Sequence, residues 1–183
     1  MTLLERIDFL GDERTQAQLL RGTIAVLAVG VVLGVVLAVT GAFGDFAELS
    51  RQGLAAWLVC LAAGLTVPLP VHELIHGALF RLMGGPGTKV TYGASSGMLY
   101  ASCPGLVLPR TRMAAVLLAP AIVLSVVLLG LGARLALPLL GYVCFVAHLS
   151  GCVGDLLAAT KALANNRCTH LQDTEVGVDL LAE

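Results

Sequence analysis

Four long apolar segments constrain the fold most strongly, because they leave few polar residues with which to build a water-soluble surface. The first, from about Gly22 to Phe43, contains no charged side chain. The others run from about Leu54 to Met83, Met113 to Leu131 and Ala136 to Leu163. About 20 helical residues, rising 1.5 Å each, cross the apolar part of a bilayer. The sequence therefore predicts an all-α transmembrane protein with about four membrane-spanning helices.

The composition agrees with a protein that lies in the lipid bilayer. Of the 183 residues, 57% are hydrophobic and 13% are charged, whereas about a quarter of the residues of a soluble domain are charged. The net charge is −1 and no basic stripe is present, so we expect no nucleic-acid partner. We expect one membrane-embedded domain over residues 1–183, in which residues 164–183 form a cytoplasmic tail.

The second apolar segment is too long for one straight crossing. Pro68 and Pro70 lack backbone N–H donors, so they predict a kink or a restarted helix. Pro70 is suited to the first turn of a helix that carries Val71 to Leu82. Backbone carbonyls freed at membrane depth are tolerated where they line a cavity, so the break favours a cavity here. A plain proline kink is the alternative.

A β-hairpin is predicted between the second and third helices. Thr88 to Tyr92 and Met98 to Ser102 are β-prone runs on either side of Gly93 to Gly97. Such a hairpin can offer an edge to an extended peptide. A cytoplasmic loop with local turns is the alternative.

The basic residues predict the orientation, because Lys and Arg are enriched on the cytoplasmic side. With four spans, two basic residues fall on one side, Arg51 and Arg134. The other side receives nine, and both termini are therefore expected in the cytoplasm. The nine are Arg6, Arg14, Arg21, Arg81, Lys89, Arg110, Arg112, Lys161 and Arg167.

The chemistry is expected in the sequence His72-Glu73-Leu74-Ile75-His76, near the cytoplasmic end of the second span. On a helix, two histidines four residues apart project from one face and can share a Zn²⁺ ion. Glu73 can then act as the general base towards a water molecule. Such groups are costly inside an apolar helix, which favours a functional role. Polar groups satisfied by interhelical hydrogen bonds are the alternative.

A catalytic zinc site takes a third protein ligand and keeps one position open. Asp155 lies six residues before Lys161, which marks the cytoplasmic edge, so it shares a level with the motif and is the predicted third ligand. A hydrogen-bonded acid at a helix end is its alternative role. His148, about 10 Å deeper on the same face, is expected to support the ligands or to pack as a polar residue. The full set of candidates is His148, Asp155, His170, Asp173, Glu175 and the cysteines.

The five cysteines show no CxxC spacing and are odd in number: Cys60, Cys103, Cys144, Cys152 and Cys168. Neither a disulfide framework nor a thiolate zinc cluster is expected. Most are predicted to be small apolar packing residues.

Three stretches together resemble a known family. They are HELIHGALF from His72 to Phe80, GCVGD from Gly151 to Asp155, and LQDTEVG from Leu171 to Gly177. In this order they resemble the "putative zincin peptidase" family of small prokaryotic membrane proteins. The wider arrangement is similar to the site-2 protease class of intramembrane zinc metalloproteases. The resemblance covers about Pro70 to Leu180.

The resemblance implies roles for four residues. His72, His76 and Asp155 match the zinc-ligand positions, and Glu73 matches the general base. The aspartate of the broad class usually lies next to a Pro or Gly in an Asn/Leu-rich setting, whereas here it follows Gly154 and precedes Leu156 and Leu157. In the LQDTEVG stretch, Asp173 is expected to cap a short helix or to contact the cytoplasmic mouth of the site. A solvated turn acid is the alternative.

These observations predict a zinc metalloprotease in a prokaryotic cell membrane. It would hydrolyse a peptide bond of a membrane-protein or peptide substrate near the cytoplasmic face. One alternative is a non-catalytic membrane protein with a structural or metal-handling His/Asp site. Another is a small transporter, which the absence of paired broken helices in two halves disfavours.

Overall fold

The computed structural model describes residues 1–44, 53–95 and 97–183. Arg51 and Ser96, which enter the predictions above, lie outside them. Within these ranges the chain forms six helices and six strands. The helices are α1 (Glu13–Val39), α2 (Leu54–Thr66), α3 (Pro68–Gly84), α4 (Arg110–Arg134), α5 (Pro138–Gly151) and α6 (Val153–Ala164). The strands are β1 (Thr2–Asp8), β2 (Thr91–Ser95), β3 (Met98–Ser102), β4 (Val107–Pro109), β5 (His170–Asp173) and β6 (Gly177–Ala182).

Three helical stretches are long and apolar enough to cross a membrane: α1, α2 together with α3, and α4. A fourth is added if α5 and α6 form one bent span. This agrees with the predicted number, although α1 and α4 extend beyond the predicted first and third spans at their N-terminal ends. In α1 and in the α2–α3 stretch, 6% of the apolar window is buried in the protein, against 39% in α4. The helix α4 is therefore the central one, and the other two offer apolar surface to lipid.

The second span is interrupted where the prolines predict. The helix α2 ends at Thr66, and α3 restarts at Pro68 after Val67. Proline fits the first turn of a helix because the N–H groups there have no intrahelical partner. The restarted helix carries the whole His72–His76 motif.

The fourth apolar segment is bent by 56° at Cys152, between α5 and α6. The Cys152 amide bonds the Leu149 carbonyl at 3.1 Å instead of the His148 carbonyl. The Cys152 thiol donates to that His148 carbonyl at 3.3 Å. The predicted single segment thus consists of two helices. Gly151, at the end of α5, faces open space: a Cβ there would meet no described atom within 4 Å.

A four-stranded antiparallel sheet, in the order β1-β6-β5-β4, is the main difference from the all-α prediction. Thr2 pairs with Ala182 and Asp8 with Gly177, so the two ends of the chain are neighbours. Residues 164–183 are therefore not a plain tail, because they supply the two central strands. The pairing joins residues more than 160 positions apart, which local sequence patterns do not reveal.

The sheet covers one end of the helices through a shared apolar core. Ile7, Leu171 and Leu180 of the sheet are fully buried against Met113 of α4 and Ala158 of α6. Removing such side chains from water supplies about 25 cal/mol per Å². The core therefore fixes α4 and α6 against the sheet, and these two helices carry parts of the site described below.

The predicted β-hairpin is confirmed. Strands β2 and β3 pair antiparallel from Thr91–Ser102 to Ser95–Met98, and they lie between the second and third spans. The hairpin packs against the motif helix α3.

Candidate metal centre

The restarted helix α3 places two imidazoles on one face. His72 and His76 are one turn apart, and their Nε2 atoms are 3.0 Å from each other. His76 is buried and His72 is partly buried. The four-residue spacing therefore brings two nitrogen donors to one point, as the motif predicts.

Asp155, in the first turn of α6, approaches the same point from a different helix. Its Oδ2 atom is 3.2 Å from His72 Nε2 and 3.5 Å from His76 Nε2. The structure thus brings together the three predicted ligands, although their role as ligands stays a prediction. Asp155 is also an acid at a helix end with imidazole partners, so the alternative of a hydrogen-bonded helix-end acid fits the same contacts.

The hydrogen bonds of His76 determine what the centre can hold. Its Nδ1 atom lies 3.1 Å from the carbonyl oxygen of Val116, which can only accept, so Nδ1 carries the proton. In the neutral imidazole, Nε2 then presents a lone pair. That lone pair faces a carboxylate oxygen and a second imidazole nitrogen. If His72 carries its proton on Nδ1, its Nε2 atom is a third acceptor at this point. A cation between the three acceptors would remove their mutual repulsion, so the donor set fits a metal ion.

The spacing is compatible with a zinc ion. Ligand atoms 2.0–2.1 Å from a tetrahedral zinc ion are about 3.3 Å apart. The three observed separations are 3.0, 3.2 and 3.5 Å. Two imidazoles and one carboxylate leave a fourth position open, as in catalytic zinc sites.

The Val116 carbonyl, which orients His76, has no intrahelical hydrogen-bond donor because of a proline. Pro120 lies inside α4, one turn after Val116, and it has no N–H to donate to the Val116 carbonyl. That carbonyl accepts the His76 Nδ1 proton instead. Metal-binding histidines commonly donate their other nitrogen in this way, which fixes the ring and its tautomer. The predictions from sequence did not include Pro120, but a proline in the middle of an apolar span was the available signal.

His148 supports the other histidine. Its Nε2 atom is 3.2 Å from His72 Nδ1, on the side of the His72 ring that faces away from Asp155. When Nε2 of His72 binds a cation, its Nδ1 carries the proton and donates to His148. Of the two roles expected for His148, contact with a candidate ligand is the one observed. Cys152 lies beside it, with Sγ 3.6 Å from His148 Nε2.

Glu73 lies next to the three donors but faces an open groove. The groove has a volume of about 380 Å³, between α3 and the β2–β3 hairpin. Its lining includes Pro70, Leu99 and Tyr100, and Glu73 is the charged residue among the described lining residues. Since the Glu73 carboxylate lies near the backbone of Ala101 in β3, the groove brings solvent and the hairpin edge to the same carboxylate.

The hairpin approaches α3 closely at one point. The Tyr92 hydroxyl occupies the space that a side chain at Gly77 would fill. Gly77 follows His76 directly, so the absence of a side chain there lets Tyr92 line the groove beside the motif. A larger residue at 77 would displace the hairpin.

Asp173 neither caps a helix nor lies in a solvated turn, so two of its three expected roles were wrong. The third, contact with the cytoplasmic mouth of the site, stays a prediction. It ends β5 and is buried, with Oδ2 2.9 Å from the Ser102 hydroxyl and 2.6 Å from the Cys103 amide. Burial raises the pKa of Asp173 to about 6. Its carboxylate thereby joins the sheet to the end of the hairpin, outside the three-donor cluster.

The remaining sequence candidates lie at the sheet. His170 of β5 contacts Thr169 and Glu183, and Glu175 follows β5 at the edge of a second, smaller groove. The structure does not bring either one to the three donors.

Fold and site together define a mostly helical protein with three to four apolar helices of membrane-crossing length and a buried His/His/Asp group that can hold a metal ion. A family model described as "Putative zincin peptidase" matches residues 65–169, more than half of the chain. The chain belongs to this family. No curated protein and no solved structure matches it.

Proposed function

We propose that the protein is a zinc-dependent, membrane-embedded metallopeptidase that hydrolyses a peptide bond near the cytoplasmic face of a prokaryotic membrane. The observation that carries the proposal is the convergence of His72, His76 and Asp155 at zinc-like spacings. Membership of the zincin peptidase family supports it. So does the likeness to site-2 proteases that the sequence suggests.

In this proposal His72, His76 and Asp155 hold the zinc ion. Bound zinc would lower the pKa of water and polarise the scissile carbonyl. Asp155 and the two neutral imidazoles leave one net positive charge at the ion, which suits it to stabilise a developing oxyanion. Val116 and His148 keep the imidazole rings in the required orientation.

Glu73 acts as the general base. It borders both the donor cluster and the groove, where a carboxylate can accept a proton from the attacking water and pass it to the leaving amine. A site that only stores or stabilises a metal has no need of such a carboxylate facing an open groove. This position favours the enzyme over the non-catalytic alternative.

The substrate enters along the hairpin. Strand β3 pairs with β2 on one side, and its backbone near Ala101 approaches Glu73 on the other. An extended peptide added to this edge would place its backbone next to the general base. The groove side chains Leu99 and Tyr100 are apolar or aromatic and exposed, so they suit a segment of a membrane protein.

The pairing of β1 with β6 supports the proposed orientation, with both termini in the cytoplasm. This pairing keeps both ends of the chain at one end of the helices. The nine basic residues assigned to that side favour the cytoplasm. A reporter fused to either terminus should be active in the cytoplasm, and periplasmic activity of either fusion would overturn the orientation.

Glu73→Gln is the decisive variant, since it keeps the size of the side chain and removes the base. Cells that produce the wild type should contain new N-termini in membrane proteins, and cells that produce Glu73→Gln should lack them. The purified variant should still contain zinc, which separates a lost base from a lost site. Identical N-termini in both strains, or none in either, would contradict the peptidase and leave the non-catalytic alternative.

A further inference from the structure

A second group of metal-binding side chains lies on the far side of the His72 ring. It consists of His72 Nδ1, His148 Nε2 and the Sγ atom of Cys152. The sequence predicted no thiolate zinc cluster, because no two cysteines are suitably spaced. The 56° bend between α5 and α6 nevertheless places one thiol beside two imidazoles.

The three atoms have the spacing of metal ligands. The two nitrogens are 3.2 Å apart, and a tetrahedral zinc ion sets such pairs about 3.3 Å apart. The sulfur is 3.8 Å from His72 Nδ1 and 3.6 Å from His148 Nε2. Zinc–sulfur and zinc–nitrogen bonds of about 2.3 and 2.0–2.1 Å set a sulfur–nitrogen pair about 3.6 Å apart. All three separations thus match one ion.

The Cys152 thiol is completely buried and donates to the His148 carbonyl within its own helix turn. The same sulfur also faces two imidazole nitrogens. A donor set of one sulfur and two imidazole nitrogens suits a borderline or soft cation such as Zn²⁺ or Cu⁺.

We propose that His72, His148 and Cys152 form a second cation site, which shares His72 with the first. The ion would replace the proton between His72 and His148 and the proton of the Cys152 thiol. With both sites filled, His72 is an imidazolate that bridges two ions roughly 6 Å apart. Three anionic donors, Asp155, Cys152 and this imidazolate, offset three of the four positive charges.

The second site has a consequence for the first. His72 donates a hydrogen bond to His148 when the second site holds no metal, and it binds an ion there instead when metal is abundant. The two ions would repel each other across the His72 ring, so each should bind less tightly while the other is present. Metal binding to the two sites should therefore show negative cooperativity. The second site itself does not depend on peptidase activity.

Cobalt titration of the purified full chain in detergent tests the proposal. The wild type should bind two Co²⁺ per chain and show the sulfur-to-cobalt charge-transfer absorption of a thiolate ligand. Cys152→Ser should bind one Co²⁺ and lack this absorption. Cys168→Ser is the matched control, because Cys168 is also buried but lies beside the sheet at His170, and it should behave like the wild type.

Two further variants keep the result independent of the proposed enzyme. Asp155→Ala removes a ligand from the first site alone, so it should retain the thiolate absorption even where catalysis is lost. His148→Ala should lose the absorption while keeping one ion. A wild type without the absorption would overturn the second site whatever the variants do, and so would an absorption that survives Cys152→Ser.

Discussion

Asp155 and Asp173 are both largely buried carboxylates, but their surroundings differ in one decisive respect. Asp173 receives hydrogen bonds from the Ser102 hydroxyl and the Cys103 amide. Asp155 faces two imidazole nitrogens, one of which cannot carry a proton in the neutral ring because Val116 holds the proton on the other side. A buried carboxylate that receives two hydrogen bonds is a structural link, whereas one that faces an unprotonated imidazole nitrogen is suited to a cation. The contrast shows how two acids of similar burial acquire different roles.

The largest expected effect is on zinc binding, which should depend on Asp155 and not on Asp173. Asp155→Ala should lower zinc affinity about a thousandfold, or about 4 kcal/mol, because it removes one of three protein ligands. Zinc per chain, measured by elemental analysis after dialysis against a weak chelator, checks this. Asp173→Ala is the matched control and should retain zinc. Equal zinc loss in both variants would break the comparison.

The second effect is on the stability of the metal-free protein, where the loss of Asp173 should cost more than the loss of Asp155. Asp173→Ala should destabilise the metal-free protein by about 2 kcal/mol, because it leaves the buried Cys103 amide without an acceptor. The Ser102 hydroxyl can still donate to the Thr174 carbonyl. Asp155→Ala should destabilise the metal-free protein less, because the neutral His76 ring offers Asp155 no N–H and His72 is left as its one imidazole donor. Equilibrium unfolding in mixed micelles gives both values. A larger loss for Asp155→Ala would contradict the assignment of roles.

The pH dependence of stability sharpens the same contrast. Since the pKa of Asp173 is raised to about 6 in the folded protein, against about 3.9 in an unfolded chain, the folded state binds the proton more tightly. The stabilisation that protonated Asp173 gives the folded state is complete below about pH 4 and is lost as the pH rises through 6. The wild type should therefore lose about 2 kcal/mol between pH 4 and pH 7 relative to Asp173→Asn. Parallel pH profiles for the two proteins would show that Asp173 is not protonated more readily in the fold.

The smallest effect tests the carbonyl that orients His76. Pro120→Ala restores an N–H that competes for the Val116 oxygen, so zinc affinity should fall about tenfold, or about 1.4 kcal/mol. Pro138→Ala is the matched control, because Pro138 is at the start of α5, where a proline removes no intrahelical hydrogen bond. Zinc competition with a chromophoric chelator gives both affinities. Unchanged affinity in Pro120→Ala would remove the proline from the account of the site.

The sequence predicted those parts of the molecule that depend on local patterns. Charge-free segments of sufficient length indicate helices of membrane-crossing length, and the spacing from His72 to His76 puts both rings on one helix face. The prediction that Asp155 lies at the same membrane depth as the motif also placed it beside His72 and His76. These predictions need only the rise per residue of a helix and the positions of the basic residues that flank the apolar segments.

The parts that were missed depend on contacts between distant residues. The pairing of Thr2 with Ala182 has no local signature. Whether a strand lies at the edge or in the centre of a sheet depends on the distant strands with which it pairs. The position of Asp173 follows from that sheet, so it was wrongly expected at a helix end or in a turn. The bend at Cys152 also escaped prediction, and with it the depth of His148, which was expected about 10 Å deeper but lies 3.2 Å from His72.

The most direct test of the central claim is zinc-edge X-ray absorption on the Cys152→Ser protein loaded with one equivalent of zinc. This variant removes the thiol of the second site, so the spectrum reports the first site alone. The account predicts two imidazole nitrogens and a carboxylate oxygen at about 2.0–2.2 Å from the ion, with one imidazole lost in His76→Ala. A spectrum that is identical in His76→Ala, or that contains no imidazole, would contradict it.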